Sequence, residues 1–128
     1  MIAPIKSTGP RNVLGTSLLS CCLGNNTGWY RNGTCQTDRN DHGHHVICAQ
    51  MTEEFLIFSK KMGNDLSTPS PQYNFPGLQT GDFWCLCAGR WQEALEAGIA
   101  PMVKLEACEE SALEIINLDD LKAHALMD

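Results

Sequence analysis

Apolar positions along the chain fall into a few distinct rhythms. Residues 45–49, HVICA, form a dense β-branched run that predicts a buried strand. Across 52–62, Phe55, Phe58 and Met62 recur at three- and four-residue spacing, which predicts an amphipathic helix with that face in the core. Thr52 is placed to cap this helix, Glu53 and Glu54 stand at its positive end, Lys60 and Lys61 at its negative end, and Gly63 stops it. Residues 83–87, FWCLC, are apolar on both faces, with Phe83, Cys85 and Cys87 on one side and Trp84 and Leu86 on the other. A strand of that kind needs cover on both sides. Trp91, Ala94 and Leu95 give 90–97 a helical stripe, closed by Gly98 and Pro101. Another strand is expected over 102–107, then a helical turn near 109–113 and an extended piece at 114–116. A last helix follows, capped by Asn117, with Leu118, Leu121 and Ala125 inward.

Between these elements lie segments without a period. Residues 1–11 hold two prolines and few apolar anchors and read as a flexible tail, with a short strand expected at 12–14. Residues 18–41 are rich in glycine, asparagine and aspartate and predict irregular structure, anchored by Trp29 and Tyr30. Residues 64–82 contain three prolines and no helical or strand spacing. A connection this long inside a domain is usually a lid or binding loop, and Leu66, Tyr73, Phe75 and Leu78 argue that it packs down. The order of elements predicts a single α+β two-layer domain over 12–128, with a small sheet, three helices and the long loop packed on it.

Composition narrows the function. Fifteen acidic against nine basic side chains give a net charge of −6 and no basic stripe. That argues against nucleic acid and anionic lipid as partners and leaves a small molecule as the expected ligand. No segment is apolar for long enough to span a bilayer, and no leader-like run opens the chain, so the expected address is the cytoplasm. Seven cysteines are many for 128 residues. In that compartment they read as reduced thiols, metal ligands or a redox group rather than as a disulfide framework.

The phrases TGWYRNGTC, DHGHHVICAQMTEEFLIFSKKMGNDLSTP, FPGLQTGDFWCLCAGRWQEA and AGIAPMVKLEA, in that order, resemble the small bacterial domain of unknown function 2237 family over roughly residues 12–125. The resemblance implies an α+β domain and carries over no activity, cofactor or catalytic set. It makes Cys21, Cys35, His45, Cys48, Asn64, Asp65, Cys85, Cys87, Arg90 and Trp91 pattern members, and leaves Cys22 and Cys108 outside the pattern.

Four arrangements of these residues carry chemistry. Cys85 and Cys87 share a strand face with Cα atoms roughly 6.5–7 Å apart, too far for a comfortable mutual disulfide. They are either core filler or a thiol pair, and Cys87, where strand meets helix and near Arg90, is the candidate reactive thiol. His45, Cys48, Cys85 and Cys87 offer zinc-type ligands, although His45 and Cys48 should face opposite sides of a regular strand. A cysteine nucleophile with His45 as base needs an orienting carboxylate, for which Asp41 and Asp65 are available. Last, the 64–82 loop is a candidate roof over Cys85 and Cys87, with Asn64, Asp65, Arg90 and Trp84 as substrate contacts. The readings are therefore small-molecule binding or thiol-dependent catalysis at Cys85, Cys87 and His45, a protein-interaction module with passive cysteines, and a zinc-stabilised domain.

Overall fold

The computed structural model describes residues 9–25 and 27–126. At its centre lies a two-stranded antiparallel ribbon of β1 (His45–Gln50) and β2 (Phe83–Cys87), the two dense apolar runs of the sequence. The register pairs Gln50 with Phe83, Ala49 with Trp84, Cys48 with Cys85 and Ile47 with Leu86. It then slips, so that His45 rather than Val46 stands opposite Cys87. This β-bulge corrects the expectation that His45 and Cys48 face opposite sides. Opposed residues share a face, so one face carries Ile47, Ala49, Trp84 and Leu86, and the other carries Cys48, Cys85, Cys87 and His45. Bulges re-aim side chains in this way.

Three helices pack around the ribbon. The first, α1 (Glu53–Lys61), is capped as expected, the Thr52 hydroxyl accepting from the Phe55 N–H at 3.0 Å. Its buried face is Phe55, Leu56 and Ser59, whereas Met62 is 44% exposed, which corrects the stripe expected from spacing alone. Ser59 tolerates burial because its hydroxyl donates to the Asn64 carbonyl at 2.7 Å. The second, α2 (Ala88–Glu96), starts two residues earlier than predicted, directly from β2, with Trp91 and Ala94 buried. Trp91 donates its indole N–H to the Pro101 carbonyl at 3.0 Å. The third, α3 (Leu118–Ala123), is capped by Asn117 and buries Leu121 completely.

The strand expected over 102–107 is reduced to Val103, which bridges Ala49 on one side and Ala125 on the other. The chain then coils into two 3-10 turns, Leu105–Ala107 and Glu110–Glu114. The piece expected to be extended at 114–116 instead continues the turn, the Ile116 N–H bonding to the Ala112 carbonyl at 2.8 Å. Residues 12–14 form a turn rather than a strand, organised by the buried Asn12. Its side chain accepts from the Leu14 and Thr16 amides and donates to the Ser17 and Glu106 carbonyls. Pro10 and Arg11 are tied down by backbone hydrogen bonds, and residues 1–8 of the expected tail lie outside the described residues.

Residues 18–44 hold no helix or strand among those described. Trp29 and Tyr30, the expected anchors, are 40% and 49% exposed. The anchors are instead two disulfides, Cys21–Cys48 to β1 and Cys35–Cys85 to β2. The expectation of wholly reduced thiols is thereby corrected. Gly33 lets this segment fold back on itself, since a Cβ there would meet the Cys22 carbonyl oxygen at 2.5 Å. The 64–82 loop packs down through buried Leu66 and Leu78, and Phe75 meets Trp84 edge-on with ring centroids 5.2 Å apart. The whole is a single α+β domain with a small sheet and three helices.

Candidate thiol site

The site forms where the irregular segment re-enters the ribbon. Residues 41–44 make a tight turn in which the His44 N–H bonds the Asp41 carbonyl at 3.1 Å and His44 adopts φ 51°. The His44 carbonyl then accepts from the Ala88 N–H at 2.9 Å, so the same turn holds the first amide of α2. This stitching brings Asp41, His45 and Cys87 together.

Asp41 is buried, and its carboxylate is hydrogen-bonded to residues on both sides of this turn. One carboxylate oxygen accepts from the His45 N–H at 2.9 Å and the Thr37 hydroxyl at 3.0 Å; the other meets His45 Nδ1 at 2.6 Å. Burial pushes the Asp41 carboxyl up, but the hydrogen bonds from His45 and Thr37 together outweigh it and hold the group below its usual range. His45 keeps its proton up to about 9. Hydrogen bonding to the Cys87 side chain is the largest cause; partial burial opposes it, and the charges of Cys87 and Asp41 add to it. With Nδ1 held by Asp41, the other ring nitrogen is left for proton exchange.

Cys87 is half-buried, the last residue of β2 and the N-cap of α2, where no side chain caps the helix. Its sulfur therefore lies at the positive end of a nine-residue helix. Gly43 permits the close packing: a Cβ there would come within 3.2 Å of Cys87 Sγ and 3.1 Å of His45 Cε1. A groove of about 510 Å³ opens at this sulfur, with Gly43, His44, Gly89, Arg90 and Ile115 among its walls. Arg90 donates to the Met62 carbonyl at 3.1 Å and to Glu93 at 3.4 Å.

Other sequence-predicted site residues fall elsewhere. Cys85 is not a thiol, since its sulfur is bonded to Cys35 at 2.04 Å. Cys48 is likewise bonded to Cys21, so the His45, Cys48, Cys85, Cys87 zinc set loses two of its ligands. The sulfurs of Cys21, Cys35 and Cys85 lie within 4.8 Å of one another. They do so because Cys48 and Cys85 are cross-strand neighbours, which sets the two disulfides side by side. Sulfurs spent in disulfides offer no thiolate to a metal.

The 64–82 loop does not roof the pair. Among the described residues its side chains line grooves against α1 and around Pro69 to Pro76, and the Cys85 face is covered instead by Asn25, Thr27 and Cys35. Asp65 accepts from the amides and hydroxyls of Ser67 and Thr68, which hold it down to about 2, the Thr68 hydroxyl contributing most. Asn64 bonds Ser59. Both residues serve the loop's own fold. Trp84 lines a separate cavity that also touches His45, and Trp29, which the sequence offered only as an anchor, stacks on the His45 ring with centroids 6.3 Å apart. Of the remaining thiols, Cys108 is buried, its thiol pushed up to about 12 chiefly by that burial, and Cys22 is half-buried.

Fold and site together define a small disulfide-clamped α+β domain with one thiol set against a carboxylate-held histidine. The chain belongs to the family described as "Uncharacterized protein conserved in bacteria (DUF2237)", whose model matches residues 11–125. No curated protein matches it. No helix among the described residues is long and apolar enough to cross a membrane.

Proposed function

We propose that this domain carries out thiol-dependent chemistry on a small acyl compound, with Cys87 as nucleophile, His45 as its proton partner and Asp41 fixing the His45 ring. The observation that supports this reading best is buried Asp41 holding His45 Nδ1 at 2.6 Å, with the His45 ring and the Cys87 sulfur packed against the same side of Gly43. A cysteine nucleophile needs a base held in position, and Asp41 fixes the His45 ring for that role.

In the reaction, the Cys87 thiolate attacks the carbonyl carbon and forms the C–S bond. The first-turn amides of Gly89 and Arg90 are the candidate donors to the oxyanion. As the bond to the leaving group breaks, imidazolium gives that group its proton. Water then attacks the thioester, passing a proton to His45, and the acid departs as the Cys87 sulfur is released. Cys85 has no part in this. The four disulfide-bonded cysteines are structural, as the interaction-module reading holds, and that reading stops short of Cys87. A cytoplasmic address belongs to the same proposal, and there a reducing thiol pool would face the two disulfides.

The test is acetylation by p-nitrophenyl acetate with the site mapped by mass spectrometry. Cys87 is expected to label well before Cys22 and Cys108, Cys87→Ser to abolish the fast phase, and His45→Asn to slow it about 100-fold. Equal labelling of Cys22 and Cys87, or indifference to His45→Asn, would sink the reading.

A further inference from the structure

A second cavity shares His45 with the thiol site. It measures about 190 Å³ and is bounded by Gly28, Trp29, Arg31, His45, Trp84 and Cys85. A cavity of about 150 Å³ already admits a benzene ring, so this one has room for one ring and little more. Three of its six walls are flat aromatic side chains, and the Trp29 and His45 planes are only 17° apart.

Trp29 is held in place although it is partly exposed. Its neighbour Tyr30 donates its hydroxyl to the Asp38 carboxylate at 2.6 Å, and that carboxylate also accepts from the Asn40 N–H at 2.8 Å. The turn that presents it closes with the Arg31 N–H on the Gly28 carbonyl at 3.0 Å. Gly28 is required there, since φ is +97° and a Cβ would fall 2.4 Å from the Thr34 carbonyl oxygen. A rigid set of flat walls selects planar ligands, because a puckered ring of equal volume cannot lie against a ring face over its whole area. Arg31 adds a planar guanidinium to the same walls, a group that stacks on a π-face.

We propose that this cavity receives the aromatic ring of the substrate, making the acyl donors of Cys87 aryl-acyl compounds with one planar ring and the carbonyl turned toward the thiol. The acyl chemistry rests on the function proposed above, whereas the ring site stands on its own walls. An aryl carboxylate is then the product-like ligand, with its ring in the cavity.

The experiment is calorimetric titration of the full chain with benzoate and with cyclohexanecarboxylate, which matches it in charge and size but is not planar. Benzoate should bind about 3- to 10-fold more tightly. Trp29→Ala should erase that preference and Trp29→Phe should keep it. Equal affinity for the two acids, failure of both to bind, or a preference that survives Trp29→Ala would overturn the proposal. Rapid acetylation of Cys87 alongside any of those results would overturn the ring site alone.

Discussion

Residues 18–44 and residues 83–96 supply the two halves of the thiol site by different means. The second stretch is regular: β2 passes straight into α2, and burial of Trp84, Leu86, Trp91 and Ala94 holds it. The first has no helix or strand among its described residues and is fastened to the ribbon by two disulfides. Two hydrogen bonds help, from Asn25 to the Phe83 carbonyl at 2.8 Å and from the Cys85 N–H to the Thr27 hydroxyl at 2.7 Å. Cys85 and Cys87 show what the difference does. They share a strand face, yet Cys85 lies under the irregular segment and finds Cys35, while Cys87 stands at the strand end and finds His45. The neighbour each sulfur meets decides its chemistry: Cys35 of the irregular segment for Cys85, and His45 at the start of β1 for Cys87.

Removing the crosslinks should affect the irregular region most. Cys35→Ala with Cys85→Ala opens a link spanning 50 residues, which on loop-closure entropy costs about 4 kcal/mol. Denaturant unfolding should show a loss of that order, and a loss under about 1 kcal/mol would mean the irregular half is held by something other than sulfur. A smaller effect follows from Asp41→Ala, which strips the partner from the His45 amide, the His45 ring and the Thr37 hydroxyl in a buried turn. The expected cost is about 2 kcal/mol by urea unfolding, with Asp41→Asn recovering part of it, and equal losses for the two variants would contradict the hydrogen-bond account.

The same division separates what could be read from the sequence. The regular half was legible: β-branched density marked β1, two-sided apolarity marked β2, and Thr52, Asn117 and the Glu/Lys polarity marked the helix ends, because each signal is local. The α1 stripe was misjudged at Met62, since spacing allows several faces and the Ser59–Asn64 bond selects one, while Phe58 packs against the core as expected. The strand at 102–107 shrank to Val103 because apolar alternation cannot show whether a partner strand exists. His45 and Cys87 were found by residue type, and Asp41 stood among the candidate carboxylates. Their assembly was hidden, because it depends on a one-residue register slip that nothing local marks. The disulfides were hidden for a similar reason: pairing is a property of the fold, not of spacing.

The smallest expected effect concerns pH. His45 holds its proton to about 9 in the folded chain against an ordinary 6.5. Folding stability from this ring is therefore complete below pH 6.5 and is lost as pH climbs through about 9. The side chain is 33% exposed, so after allowance for solvent screening the loss is about 1–2 kcal/mol rather than the value of the whole shift. The most direct test of the coupling between His45 and Cys87 is the NMR titration of the His45 ring in the native chain and in Cys87→Ala. The native ring should titrate near 9 and move down toward 6.5 in the variant. A native ring already titrating near 6.5, or one unmoved by loss of the sulfur, would contradict the account.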